Sequence, residues 1–148
     1  MFDISQRLPQ QQTTCDDELS DSYVNGLMDE FAVSPEAIAW SEANGPLGWA
    51  AAMVDFGIDK KDVTPVEMSE ELLDEILFKW IPQEVSVQAD EAYFIIGEIR
   101  AFWEFVARQY DLPIAFRIVR TLDAAAEERL RAKLRHSATK IAEEESVR

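Results

Sequence analysis

The chain has only one histidine and one cysteine among its 148 residues, and these scarcities exclude several kinds of chemistry. A nucleophile–histidine–acid triad needs histidine as its base, and a di-iron helical bundle needs two histidines. The one histidine, His136, lies among basic residues near a helix end, where a solvated side chain is the expected arrangement. We therefore predict no catalytic triad and no metal site.

The single cysteine, Cys15, has no second cysteine with which to form a disulfide within the chain. Asp16 and Asp17 follow it, and their negative charge disfavours a reactive thiolate. A reducing compartment suits such a chain, and residues 1–12 lack the basic and apolar regions of a secretory signal. We therefore expect a cytoplasmic location.

Glycine is also scarce, with five residues in the chain, and neither of the glycine-rich phosphate-binding motifs is present. The segment that begins at Asp55 resembles a calcium loop only superficially. Lys60 stands where that loop needs glycine, and Val66 where it needs glutamate. No apolar run approaches the roughly 20 residues of a membrane span. We predict no cofactor and no membrane association.

The net charge of −15 is concentrated in one part of the chain. Residues 16–91 hold 19 acidic residues against three basic ones, whereas residues 92–148 hold nine against ten. A negative charge of this size repels nucleic-acid phosphates and favours a basic partner or none. We therefore expect a protein partner or a homo-oligomer such as a dimer, and no nucleic acid.

Apolar periodicity near 3.6 residues predicts an all-α chain, a compact bundle or orthogonal array of about six helices. Residues 1–15 are predicted to be a flexible arm, 16–138 a single helical domain and 139–148 a frayed acidic tail. Ser34 and Ser69 are expected to cap helices, while Gly57 and Pro82 are expected to end them. The predicted helices cover about residues 16–31, 35–44, 46–56, 70–80, 90–110 and 113–136, with 90–110 central and a possible break near Leu122-Asp123.

The helix at 90–110 has apolar residues on two faces, because Phe94, Glu98, Ala101 and Phe105 lie nearly opposite its main stripe. One interpretation is a central helix that packs on both sides. The other is that Phe94 and Phe105 form part of an interface with another chain. Full burial of both side chains within one monomer would contradict the interface.

The last helix offers a basic surface, since Arg117, Arg120, Arg131 and Arg135 fall in one narrow sector if the helix is continuous. This surface either pairs with acids of the same chain or forms an electrostatic site for an acidic partner or a second copy.

The 70–80 helix carries an acidic cluster, which is typical of a solvated face that complements the helix dipole. Its members are Glu70, Glu71, Asp74 and Glu75.

Three stretches resemble a group of small helical bacterial proteins with no known activity. They are Ser34-Pro-Glu, Leu73-Asp-Glu-Ile-Leu-Phe leading to Ile81-Pro-Gln-Glu-Val-Ser, and Glu98-Ile-Arg-Ala-Phe-Trp-Glu-Phe. Gln83 and Glu84 stand where that group has basic residues, so any role of the basic pair would be lost here. The resemblance implies a bacterial, helical, free-standing protein and no reaction.

These observations favour a non-enzymatic protein-interaction or regulatory module, with self-association as one form of it. An acidic mimic of nucleic acid, which would occupy a basic site on another protein, is an alternative. An enzyme that uses buried carboxylates is a second alternative. A deep apolar pocket with converging acids would favour the enzyme, regularly spaced surface acids the mimic, and a broad apolar patch the interaction module.

Overall fold

The computed structural model describes the backbone of residues 14–85 and 87–146 and the side chains of residues 22–85 and 87–136. Within these ranges the fold is helical and contains no strand, which confirms the predicted all-α class. Its helices are α1 (Thr14–Ala32), α2 (Pro35–Asn44), α3 (Trp49–Lys61), α4 (Glu70–Glu75, a π-helical turn at Ile76–Trp80, and Ile81–Glu84), α5 (Ala92–Tyr110), α6 (Pro113–Thr121) and α7 (Ala124–Ser146). Short 3-10 turns at Pro65–Glu67 and Ala89–Glu91 precede α4 and α5.

Two helices begin at the predicted serine caps. The Ala37 N–H donates to Ser34 Oγ at 3.2 Å, and the Leu72 N–H donates to Ser69 Oγ at 3.0 Å. Each bond satisfies a donor that the first turn of a helix leaves without an intrahelical partner.

The predicted end of the third helix at Gly57 is wrong, because α3 continues to Lys61. Asp62 takes the left-handed conformation, with φ of 55°, and its N–H closes the helix on the carbonyls of Gly57 and Ile58. Gly57 has a packing role instead. A Cβ there would lie 3.0 Å from Met68 Cε and 3.1 Å from the Val63 carbonyl oxygen.

The predicted end of the fourth helix before Pro82 is also wrong, because α4 continues to Glu84. A proline inside a helix lacks the N–H donor and its ring clashes with the carbonyl four residues earlier. The preceding turn, Ile76–Trp80, is π-helical. Its wider geometry makes room for the Pro82 ring.

The predicted break in the last helix and the two predicted terminal segments have different outcomes. The predicted break at Leu122-Asp123 is confirmed and separates α6 from α7. The backbone of α7 stays helical to Ser146, into the segment predicted to be a tail. Most of the predicted N-terminal arm, residues 1–13, lies outside the described residues, and Thr14 and Cys15 belong to α1.

The core is organised around α5, which contacts α2, α3, α6 and α7. One of its faces packs Phe102 and Phe105 against Phe31 of α1, with ring centroids 5.4 and 5.6 Å from that of Phe31. Another face places Trp103 Nε1 3.3 Å from Met53 Sδ of α3. Among the described residues, no helix has the length and apolar character needed to cross a lipid bilayer.

Candidate functional site

A groove of about 520 Å³ runs between α4 and the α6–α7 corner and is half open to solvent. We call it the acid-rimmed groove. Of the side chains that the structure describes, four carboxylates and one guanidinium supply its charged lining: Glu70, Glu71, Asp74, Asp123 and Arg129. Apolar side chains line the rest of it: Leu73, Leu77, Phe78, Leu122, Ala125 and Ala126.

Helical spacing explains why α4 contributes both acids and apolar residues to this groove. Glu70, Leu73, Asp74 and Leu77 recur at intervals of three and four residues, which places them in one row along the helix. The acids face outward at the rim, while Leu73 and Leu77 are each 2% exposed and form the floor. The groove is therefore apolar at its base and negative at its edge.

Arg129 of α7 crosses the groove and binds α4. Its guanidinium donates to both carboxylate oxygens of Asp74, at 2.7 and 3.1 Å. The same group lies 4.0 Å from the centroid of the Phe78 ring. This combination of a bidentate carboxylate and an aromatic face is a strong geometry for holding an arginine.

A second concave feature surrounds Glu98 of α5, whose side chain is only 2% exposed. Its Oε2 accepts hydrogen bonds from the backbone N–H groups of Gly48 at 2.9 Å and Ala50 at 2.6 Å. Its Oε1 also accepts from Gly48, at 3.1 Å. Because Gly48 is the N-cap residue of α3, Glu98 caps that helix from 50 residues away in sequence.

Burial raises the pKa of the Glu98 carboxyl, and the hydrogen bonds from the α3 backbone partly oppose this rise. The Glu98 carboxylate is therefore shielded from solvent, but backbone N–H groups donate hydrogen bonds to both of its oxygens. It lines a cleft of about 200 Å³, which we call the Glu98 cleft, together with Trp40, Asn44, Pro46, Trp49, Glu91 and Phe94.

Phe94 and Phe105, the apolar residues of the predicted interface, have different environments. Phe105 is 1% exposed and packs within the chain between Phe31 and Tyr110, with centroids at 5.6 and 5.7 Å. Phe94 is half-buried and lines the Glu98 cleft. Phe105 therefore offers almost no surface to a partner in this conformation, while a contact through Phe94 stays a prediction.

The predicted arginine sector depended on a continuous last helix, and the break at residues 122–123 removes that condition. Arg131 donates to Glu127 at 2.7 Å and to Glu128, both on its own helix. Arg135 is exposed on α7, and Arg117 is exposed on α6. Arg120 lines a shallow surface of about 550 Å³ that it shares with Phe116, Val119 and Arg108.

Gly97 and Glu98 are neighbours in α5, and both shape the Glu98 cleft. The sequence prediction assigned no role to either residue. A Cβ on Gly97 would lie 2.5 Å from Cζ3 and 2.8 Å from Cζ2 of Trp40, with Cη2 closer still. Only glycine therefore lets α2 approach α5 with the indole between them. Two signals were present in the sequence: a glycine within a strong helical pattern, and Glu98 as the acid within an apolar face.

The described side chains do not bring three or more histidine, cysteine or acidic residues together in a way that could hold a metal ion.

Comparison with protein-family models, with curated proteins and with solved structures gives no match. The resemblance to the bacterial group, which rests on three short stretches of sequence, therefore stays a prediction.

Proposed function

We propose that this chain is a protein-interaction module whose acid-rimmed groove binds an amphipathic, arginine-bearing helix of a partner protein. The single observation that carries the proposal is the contact of Arg129 with Asp74 and Phe78. Within the chain, the groove holds a guanidinium between a carboxylate and a ring, and an arginine of the partner would compete with Arg129 for this position while Glu70 and Glu71 offer further carboxylates at the rim.

Charge and shape support the same kind of partner. Among the described residues, the groove lining has four carboxylates and one guanidinium, so the net charge of this lining is negative. Its floor is apolar, which suits the apolar face of an amphipathic helix. The charge of −15 disfavours nucleic acid and favours basic proteins. A cytoplasmic location is part of this proposal and rests on the single cysteine.

The test uses a synthetic helical peptide of Leu, Ala and Arg with its arginines on one face, labelled for fluorescence anisotropy. We expect binding that weakens with salt, and no binding of a peptide in which Glu replaces each Arg. The double substitution Glu70→Gln and Glu71→Gln removes two rim charges and should weaken binding about tenfold.

A matched control removes the same number of charges elsewhere. Glu42 and Glu67 are exposed and lie outside the groove lining. The pair Glu42→Gln and Glu67→Gln should leave peptide affinity almost unchanged. Equal weakening by both pairs would indicate attraction to the overall charge and would contradict a groove site.

Self-association is a second candidate, and α6 supplies the observation that favours it. Phe116 is 48% exposed there, with Arg117 and Arg120 close to it in the helix. These exposed side chains of α6 are apolar and basic, although Glu36 and Glu104 lie beside them, and they complement the acid-rimmed groove of another copy. Light scattering of the purified chain tests the idea, because Arg117→Glu with Arg120→Glu should reduce the mass of any dimer to that of the monomer. A monomeric unsubstituted chain would contradict it.

A further inference from the structure

We propose that the Glu98 cleft is a binding site for a methylated ammonium group, such as that of a quaternary alkylammonium compound. The cleft is separate from the acid-rimmed groove and shares none of its lining residues. It combines aromatic rings with carboxylates, and the described side chains that line it include no base. These are the properties that attract a weakly hydrated cation.

One wall of the cleft is a row of side chains at the start of α5. Glu91, Phe94 and Glu98 follow one another at intervals of three and four residues, which places them on the same side of the helical segment. The row therefore alternates a carboxylate, a ring and a carboxylate. A cation seated against Phe94 would have negative charge on both sides.

The opposite wall comes from α2 and the start of α3. Trp40 and Asn44 are one helical turn apart on α2, and Trp49 is the first residue of α3. The Trp40 ring also contacts Tyr93, at a centroid distance of 5.6 Å, and Tyr93 in turn contacts Phe94 at 5.2 Å. The aromatic lining thus extends from the cleft to the exposed Tyr93, which is 45% exposed.

The hydrogen bonds of Glu98 decide which kind of cation suits the cleft. Both oxygens of this carboxylate already accept hydrogen bonds from backbone N–H groups at the start of α3. A primary ammonium group is strongly hydrated and must find partners for three N–H donors, for which the described lining offers Glu91 and Asn44 as the other side-chain acceptors. A fully methylated ammonium group has no N–H donor and can bind through its charge and its contact with the rings.

The volume of the Glu98 cleft suits a small ligand. A cleft of about 200 Å³ is smaller than the 300–1,000 Å³ of sites that enclose drug-sized molecules. It suits a compact head group whose remaining part extends into solvent. Trp40 and Trp49 are half-buried at this position, so a bound cation would change the environment of both indoles.

The experiment titrates choline into the full chain labelled with 15N and follows the indole N–H signals. We expect the Trp40 and Trp49 signals to shift in a saturable way, and the signals of the core residues Trp80 and Trp103 to stay in place. The neutral isostere 3,3-dimethyl-1-butanol, which has carbon in place of the charged nitrogen, should bind at least about fivefold more weakly. Butylammonium should also bind more weakly than choline.

Two variants locate the site. Glu91→Gln keeps the shape of the side chain and should weaken choline binding at least about threefold, whereas Glu67→Gln on a distant exposed turn should have no effect. Trp49→Leu should abolish binding, provided that circular dichroism gives the helical content of the unsubstituted chain. Equal shifts with choline and its neutral isostere would overturn the proposal, as would the absence of any shift at Trp40 and Trp49.

Discussion

The acid-rimmed groove and the Glu98 cleft are both concave and both lined by carboxylates, but their acids have opposite relations to the fold. In the groove, Glu70 and Glu71 are exposed at the rim, and the apolar floor beneath them does not depend on their charge. In the cleft, Glu98 is buried and holds the first N–H groups of α3. The first arrangement leaves its acids available to a partner, whereas the second uses its central acid to join two helices.

This difference separates two kinds of mutational effect. Changes at the groove rim should alter binding and leave stability almost unchanged, because exposed acids contribute little to folding. Changes at Glu98 and Gly97 should alter stability first, because both residues lie where α5 meets α2 and α3.

The substitution Glu98→Ala should lower the free energy of unfolding by about 3 kcal/mol, because it leaves the Ala50 N–H and the Gly48 N–H without their acceptor. Glu98→Gln should cost much less, since one amide oxygen can replace Oε2, which accepts from both donors. Urea unfolding measures both values. Glu104→Ala on the exposed side of α5 is the control and should cost about 0.5 kcal/mol or less. Equal losses for the Ala and Gln variants of Glu98 would mean that its hydrogen bonds do not stabilise α3.

Gly97→Ala should be the next most damaging change, at about 2 kcal/mol, because the new methyl group overlaps the Trp40 ring. The cost should fall when Trp40→Leu is also present, since the smaller side chain leaves room for the methyl. A double-mutant cycle by urea unfolding measures this coupling. Strictly additive losses would place the strain somewhere other than the contact between Gly97 and Trp40.

The course of the helices could be predicted largely from the sequence, because periodicity and caps act over a few residues. Ser34 and Ser69 cap their helices as predicted, and the chain breaks at Leu122-Asp123. The two wrong ends, at Gly57 and Pro82, have different causes. Gly57 lies within α3, where its lack of a side chain allows close packing against Met68 and Val63, whereas a π-helical turn makes room for Pro82 in α4.

The candidate sites were harder to predict, because each depends on residues that are distant in sequence. The acids of α4 were identified as a cluster, but their groove exists only because Asp123 and Arg129 lie opposite them. The role of Glu98 depends on the backbone of Gly48 and Ala50, about 50 residues earlier in the chain. An acid inside an apolar helical face could have indicated a buried role, yet nothing local identifies its donors.

The pH dependence of stability should report on Glu98 directly. Burial raises the pKa of this carboxyl in the folded state, so the folded chain holds its proton more tightly than the unfolded chain does. The contribution of Glu98 to stability should therefore be largest in acid and should fall as the pH rises from 4.5 through the raised value. Urea unfolding across this range should show a smaller fall for Glu98→Gln than for the unsubstituted chain. Parallel pH profiles for the two proteins would contradict the raised pKa.

Of these changes, Arg129→Ala should have the smallest effect on stability. It should lower stability slightly but strengthen binding of the arginine peptide. The side chains of Arg129 and Asp74 are 52% and 46% exposed, so Arg129→Ala should cost less than about 1 kcal/mol of stability. The same change frees Asp74 and the Phe78 ring for an incoming arginine, and should therefore strengthen binding of the arginine peptide about threefold. Arg108→Ala is the matched control, because Arg108 is a similarly exposed arginine that binds both carboxylate oxygens of Glu36 outside the groove lining. Anisotropy titrations of both variants measure the effect on binding. If Arg129→Ala weakens the peptide complex more than Arg108→Ala does, then Arg129 contributes to partner binding and does not compete with it.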